Sequence, residues 1–171
     1  MRKLVIACTT ILLSFAAHGG VLFPIKPGMY VPPEDRKQIQ CLADNIFFEA
    51  RGEEKQGQVA VAMVTMNRVK SGDYPEDVCG VVQQKVAATC QFSWWCDITL
   101  KTKALRRQHL ADNRELYNKV YAVALEVYFN YGKMRDVTKG AKFYHADYVS
   151  PGWKKSERTV KIGQHIFYRN I

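Results

Sequence analysis

The run Val59-Ala60-Val61-Ala62-Met63-Val64 constrains this chain more than any other segment. It is apolar on every side when wound as a helix, so a helix carrying it needs neighbours all round and cannot lie on a surface. The pattern predicts a helix from about Gln56 to Val69, ended by Ser71-Gly72-Asp73, with Pro75 preventing its resumption. A first helix precedes it. Glu34 and Asp35 supply acidic residues for a first turn, and Ile39, Leu42, Ala43, Ile46, Phe47 and Ala50 recur at helical spacing as one buried stripe. Gly52 is the expected stop. At 100° per residue Glu49 falls on the flank of that stripe, beside Leu42, in the last turn.

The remaining helices and strands are shorter or less regular. A short helix is expected near Asp77 to Gln84. Cys90-Gln91-Phe92-Ser93-Trp94-Trp95-Cys96 is aromatic and β-favouring, and reads as a hairpin or stapled loop. Lys101 to Arg107 reads as a solvated basic loop. Asp112 or Asn113 caps a long helix to about Tyr131, with Gly132 as terminator. Phe143-Tyr144-His145, Thr159-Val160-Lys161-Ile162 and His165-Ile166-Phe167-Tyr168 read as short strands around Pro151-Gly152-Trp153. The fold class is α+β, a mainly helical single domain with a small β portion. A length of 171 residues fits one domain able to bury its own core, and a monomer is expected.

The N-terminus reads as an export signal. Arg2 and Lys3 form a basic start, Leu4 to Ala17 is an apolar stretch of 14 residues, and small residues follow. The signal is assigned to residues 1–19, an extended Pro-containing leader to 20–33 and the remaining domain to 34–171. A retained anchor is the alternative. Loss of Arg2 and Lys3 lowers the formal charge from +9 to +7. A basic exported protein is drawn to anionic envelope polymers. Nucleic acid is not expected as a partner, because there is no basic helix and no aromatic-spaced basic strand. Cys41, Cys79, Cys90 and Cys96 form an even set in an exported chain. Two disulfides are expected, with three connectivities open. No CxxC pair supports zinc, and neither metal nor cofactor is assigned.

Several ordered motifs carry a family resemblance. Cys41-Leu42-Ala43, Phe48-Glu49-Ala50-Arg51-Gly52-Glu53, Gly57-Gln58-Val59-Ala60-Val61-Ala62 and Asn67-Arg68-Val69 come first. Val78-Cys79-Gly80-Val81-Val82, Gln91-Phe92-Ser93-Trp94 and Cys96-Asp97 follow. Gly140-Ala141, Phe143-Tyr144-His145-Ala146, Pro151-x-Trp153 and Ile162-Gly163-x-His165-x-Phe167-Tyr168 complete the series. Together they resemble the spore cortex-lytic, SleB-type cell-wall hydrolases from about Cys41 to Arg169. The resemblance implies a lysozyme-like fold and cleavage of peptidoglycan glycan strands between N-acetylmuramic acid and N-acetylglucosamine, with anhydromuramic ends as the family's usual product. The family's peptidoglycan-binding repeat has no counterpart in the 171 residues, so targeting is expected to rest on the domain itself and its charge.

Breaking a glycosidic bond requires a carboxylic acid whose pKa is raised towards neutrality. Glu49, flanked by apolar residues at the negative end of a helix, meets that need and is the expected acid/base. Most glycosidases use a second carboxylate about 5 Å or about 6.5–9.5 Å away. Glu53 is instead expected to be a structural ion-pair partner, because a transglycosylase can use the substrate's N-acetyl group and 6-hydroxyl. Gln91, Phe92, Ser93 and Trp94 are expected to contact sugar, with either Trp94 or Trp95 anchoring the core. Tyr144 and His145 are expected to line the cleft. His165 and Trp153 are read as packing. The rival readings are a stem-cleaving cysteine peptidase using Cys79 with His145 or His165, a zinc amidase using His145, Asp147 and His165, and a non-catalytic peptidoglycan-binding module.

Overall fold

A computed structural model describes residues 29–97, 102–152 and 156–170. The signal and leader expectations and the packing role of Trp153 lie mostly or wholly outside these residues. Helix α1 spans Pro33–Ala50 and starts on Pro33, whose missing N–H is harmless in a first turn. Helix α2 spans Lys55–Ser71 and is closed by Gly72 at φ +76°, a left-handed conformation suited to glycine. Every residue from Gly57 to Thr65 is buried, as an all-round apolar helix requires. Helix α3 covers Val78–Gln83, with the Asp77 carboxylate accepting from Gly80 N at 2.9 Å. Helix α5 covers Arg114–Asn130.

Two layers enclose α2. On one side Val59, Val61, Ala62 and Met63 pack with the α1 stripe, with Val78, Val81 and Val82 of α3, and with Val120, Val123, Ala124 and Val127 of α5. On the other, Ala60 and Val64 meet Ala141, Ile162 and Phe167. Ile162 and Phe167 belong to an antiparallel sheet of β3 (Phe143–Ala146), β4 (Ser156–Ile162) and β5 (His165–Asn170), with β5 central, and Ala141 lies just before β3. Tyr144 pairs with Phe167 across β3 and β5. The architecture is therefore α+β, with a small sheet capping a helical body.

One segment departs from the expected pattern and another settles between its two alternatives. The stretch taken as a solvated basic loop contributes to helix α4, Lys103–Asp112, whose N-cap Thr102 accepts from Leu105 N at 3.1 Å. None of its residues is fully buried, although Leu110 packs on the core, and its basic composition reads as solvated surface. The Cys90–Cys96 segment is the stapled loop of the two alternatives, closed by its own disulfide. The hairpin lies just upstream, as β1 (Lys85–Val86) and β2 (Thr89–Cys90), and Ser93–Cys96 forms a 3-10 turn. That turn is held from within. Trp94 Nε1 donates to Asn45 Oδ1 at 2.9 Å, and Asn45 Nδ2 donates to Thr65 Oγ1 at 3.2 Å. A fully buried amide thus satisfies an indole and a hydroxyl at once and ties α1, α2 and the turn together.

Cys41 is bonded to Cys79 and Cys90 to Cys96, with Cα separations of 5.2 and 5.9 Å. The first joins α1 to α3 across 38 residues, and the second closes a loop across 6. Loop-closure entropy gives about 4 kcal/mol for the longer bridge and about 2 kcal/mol for the shorter. Cys41→Ser/Cys79→Ser is therefore expected to lower the melting temperature more than Cys90→Ser/Cys96→Ser, as read by calorimetry on oxidised protein. Equal losses would contradict the assignment of the longer bridge as the main restraint.

Candidate active site

The C-terminal turn of α1 ends against the sheet, and a cleft of about 400 Å³ lies at that seam. Phe48, Glu49, Ala50, Arg51 and Gly52 form one wall, followed by Glu53 on the way into α2. Ala146 and Tyr148, at and just past the end of β3, and Gln164 and His165, at the turn into β5, form the other.

Glu49 is half-buried, and Tyr144 donates its hydroxyl to Glu49 Oε2 at 3.0 Å. Burial raises the Glu49 pKa above the ordinary carboxylate value, while the Tyr144 hydrogen bond and the Arg68 charge oppose the rise. Tyr144 is pushed well above its usual range by burial and by the Glu49 charge, so its hydroxyl stays protonated and donates. Arg68 is 5% exposed and donates Nε to Lys142 O at 2.8 Å, with its guanidinium 5.0 Å from the Phe92 ring centre and 5.2 Å from that of Tyr74. Burial lowers its pKa, against the raising effects of Tyr74, Tyr144 and Glu49. Arg51 turns away from Glu49. Its Nη1 donates to Phe47 O at 3.5 Å and its guanidinium sits 5.2 Å from the Phe47 ring centre.

Glu53 is committed to structure. Its two carboxylate oxygens accept from Gln164 N at 3.2 and 3.3 Å, which fastens the start of α2 to the β4–β5 turn. Gly57 and Gly163 leave room for this side chain, since a Cβ at either position would collide with it. His165 Nδ1 is 3.6 Å from Glu53 Oε1, beyond hydrogen-bond reach, and burial lowers the His165 pKa despite Glu53 and Asp147. The His165 ring therefore stays neutral where it meets Tyr144 edge-on at 5.2 Å. Asp44 is also pushed up, to about 6, by burial, against a hydrogen bond from Tyr117 and the Arg106 charge, but it lines a different cavity.

The other expected site residues are distributed differently. Phe92 and Trp94 are 3% and 6% exposed and belong to the core, so neither ring is available to stack on a sugar. Trp94 instead stacks on Phe48 at 4.5 Å, which backs the cleft wall. Gln91 is half-buried and Ser93 exposed, and neither borders the cleft. His145 is also corrected. Neighbours on a strand face opposite ways, so Tyr144 points to Glu49 while His145 stacks on Tyr168 at 5.2 Å and comes within 3.1 Å of its hydroxyl. His165, read as packing, borders the cleft, as do Tyr148 and Gln164, which the sequence reading did not single out. The period-two alternation of β3 was the signal that separates Tyr144 from His145. Cys79 is bonded to Cys41, which removes the thiol that the peptidase reading needs. His145 and His165 sit on opposite faces of the sheet, contrary to the zinc amidase reading.

A half-buried carboxyl with a raised pKa thus faces an open groove between a helical body and a small sheet. The profile of the cell wall hydrolase family matches residues 52–168, and the chain belongs to that family. A spore cortex-lytic enzyme of Halalkalibacterium halodurans is 32% identical over 131 residues, covering 75% of this chain and 34% of that protein. The chain thus spans about a third of that relative's length. The catalytic domain of Bacillus cereus SleB superposes with a TM-score of 0.54 at 26% identity, covering 84% of this chain and 94% of that domain. That of the germination-specific lytic transglycosylase SleB from Bacillus anthracis gives 0.52 at 27% identity, covering 84% and 100%. The fold is lysozyme-like.

A raised carboxyl pKa favours folding while the group is protonated, and that contribution is lost as pH rises from the unfolded value through the folded one. Glu49→Gln, which keeps an acceptor for Tyr144, should therefore melt at a higher temperature than the parent at pH 7. The gap should shrink as pH falls towards about 4. A variant less stable than the parent at pH 7 would contradict the buried-acid description.

Proposed function

We propose that this chain is an exported enzyme that cuts the glycan strands of peptidoglycan between N-acetylmuramic acid and N-acetylglucosamine. The observation that carries the reading is Glu49, a carboxyl with a raised pKa in an open cleft, held at one oxygen by Tyr144. Family membership, the Halalkalibacterium halodurans relative and the Bacillus SleB domains support the same assignment. So do two disulfides, which suit an oxidising compartment reached through the N-terminal signal.

In the mechanism, Tyr144 fixes Oε2, and Oε1 is the oxygen that exchanges a proton with substrate. Protonated Glu49 gives its proton to the glycosidic oxygen as the bond from that oxygen to C1 of the muramic sugar breaks. The substrate's acetamido oxygen stabilises the positive charge on C1. Glu49, now a carboxylate, takes the proton of the 6-hydroxyl, whose oxygen attacks C1 and leaves an anhydromuramic end. The Tyr144 hydroxyl and the Arg68 charge stabilise Glu49 in its ionised interval. Glu53, held by Gln164 N, is not used as a second carboxylate. Tyr148, 84% exposed at the cleft edge, offers the aromatic face for a sugar that Phe92 and Trp94 do not.

Glu49→Gln should reduce sacculus lysis, followed by turbidity, by about two orders of magnitude or more. Glu53→Gln, which keeps an acceptor for Gln164 N, should retain most activity. Tyr148→Ala should raise KM with little change in kcat. Equal losses in the two glutamine variants would favour a two-carboxylate mechanism instead.

A further inference from the structure

A second cavity, of about 310 Å³, lies on α1 away from the catalytic cleft, between that helix, the disulfide-closed turn and α4. Lys37, Lys103, Arg106 and Arg107 border it, against a single acid, Asp44, which is hydrogen-bonded by Tyr117 at 2.6 Å. Lys37, Lys103 and Arg107 are exposed at the rim, whereas Arg106 is half-buried with its guanidinium 4.3 Å from the Trp95 ring centre. Gln40 and Gln83 add amide groups to the border.

Three features give this arrangement meaning. With Arg106 and Asp44 set aside, the described border still carries three exposed cations, Lys37, Lys103 and Arg107, so its rim is cationic. On a branched strand the lactyl carboxyl of muramic acid is tied up as an amide, so the anionic groups are the carboxylates of the peptide branches. A stripped strand keeps only a lactyl carboxylate held against each muramic ring, too short to reach from the cleft to this cavity. Finally, Lys37, Gln40, Cys41 and Asp44 lie on one face of α1, and that row continues to Phe48, which borders the catalytic cleft. Lys37 and Glu49 are about 18 Å apart along the helix axis. About five extended residues of peptide cover that distance.

We propose that the α1–α4 cavity is a second binding site, taking the carboxylate of a peptide branch on the same glycan strand that occupies the Glu49 cleft. The proposal rests on the glycan-cleaving reading and adds a preference to it: strands bearing peptide branches bind more tightly than stripped ones. The Trp95 ring supplies an apolar wall for the branch, and the two glutamines face its amides.

Calorimetric titration tests this, using full-length Glu49→Gln protein, glycan oligomers with and without peptide branches, and polyphosphate as an alternative anion. Branched oligomers should bind about tenfold more tightly than stripped ones. Lys103→Glu/Arg107→Glu should erase that ratio, and the milder Lys103→Gln/Arg107→Gln should lower it. Arg135→Glu/Arg158→Glu, an equal charge change at exposed positions elsewhere, should leave it intact. Equal affinity for both oligomers would overturn the proposal. So would an equal fall in the ratio for the Lys103/Arg107 and Arg135/Arg158 reversals, which would indicate bulk charge, or polyphosphate binding tightly where branches give no preference. Oligomers recovered cut from Glu49→Gln would count against the catalytic reading alone, because the ratio is taken from those recovered intact.

Discussion

The structure depends on a helix with no solvated face. With every residue from Gly57 to Thr65 buried, α2 must be covered on two sides by different material. Helices α1, α3 and α5 cover one side and the three-stranded sheet covers the other. The cleft is a consequence of this enclosure, because it opens where the last turn of α1 meets the sheet. Glu49 on the first layer and Tyr144 on the second meet only because α2 holds both layers in register. Glu53, at the entry to α2, fastens the same seam through Gln164 N.

This geometry fits the proposed use of one carboxyl as both acid and base. Burial and the end of a helix favour its protonated form, while a tyrosine hydroxyl and a buried guanidinium favour its ionised form. Arg68 is itself held by the Lys142 carbonyl and by aromatic rings, so it acts on Glu49 as a fixed charge without taking it into an ion pair. A full ion pair would lock Glu49 as a carboxylate and remove the proton the reaction needs.

Much of the helical layer was legible in the sequence, because burial there follows a period of 3.6 residues. The stripe from Ile39 to Ala50 marks α1 and the flank on which Glu49 sits. Helix α4 was not legible, since it buries no residue and its basic, polar composition reads as solvated surface. Phe92 and Trp94 were misread because an aromatic segment does not disclose which way its rings turn. The decisive fact, Trp94 bonded to Asn45, joins residues 49 positions apart. His145 was misread for a local reason, since two successive strand residues cannot both face one cleft. Tyr148, Gln164 and His165 reach the site only through the turns of the sheet, which no single motif records.

In the proposed reaction Glu49 alone, without a second carboxylate, breaks the glycan and the muramic end closes on itself. Mass spectrometry of the fragments released from purified sacculi tests it most directly. Muropeptides ending in anhydromuramic acid, with their peptide branches intact, are the expected product. Reducing ends formed with water would contradict the internal attack by the 6-hydroxyl, and cut branches on uncut glycan would contradict the account as a whole.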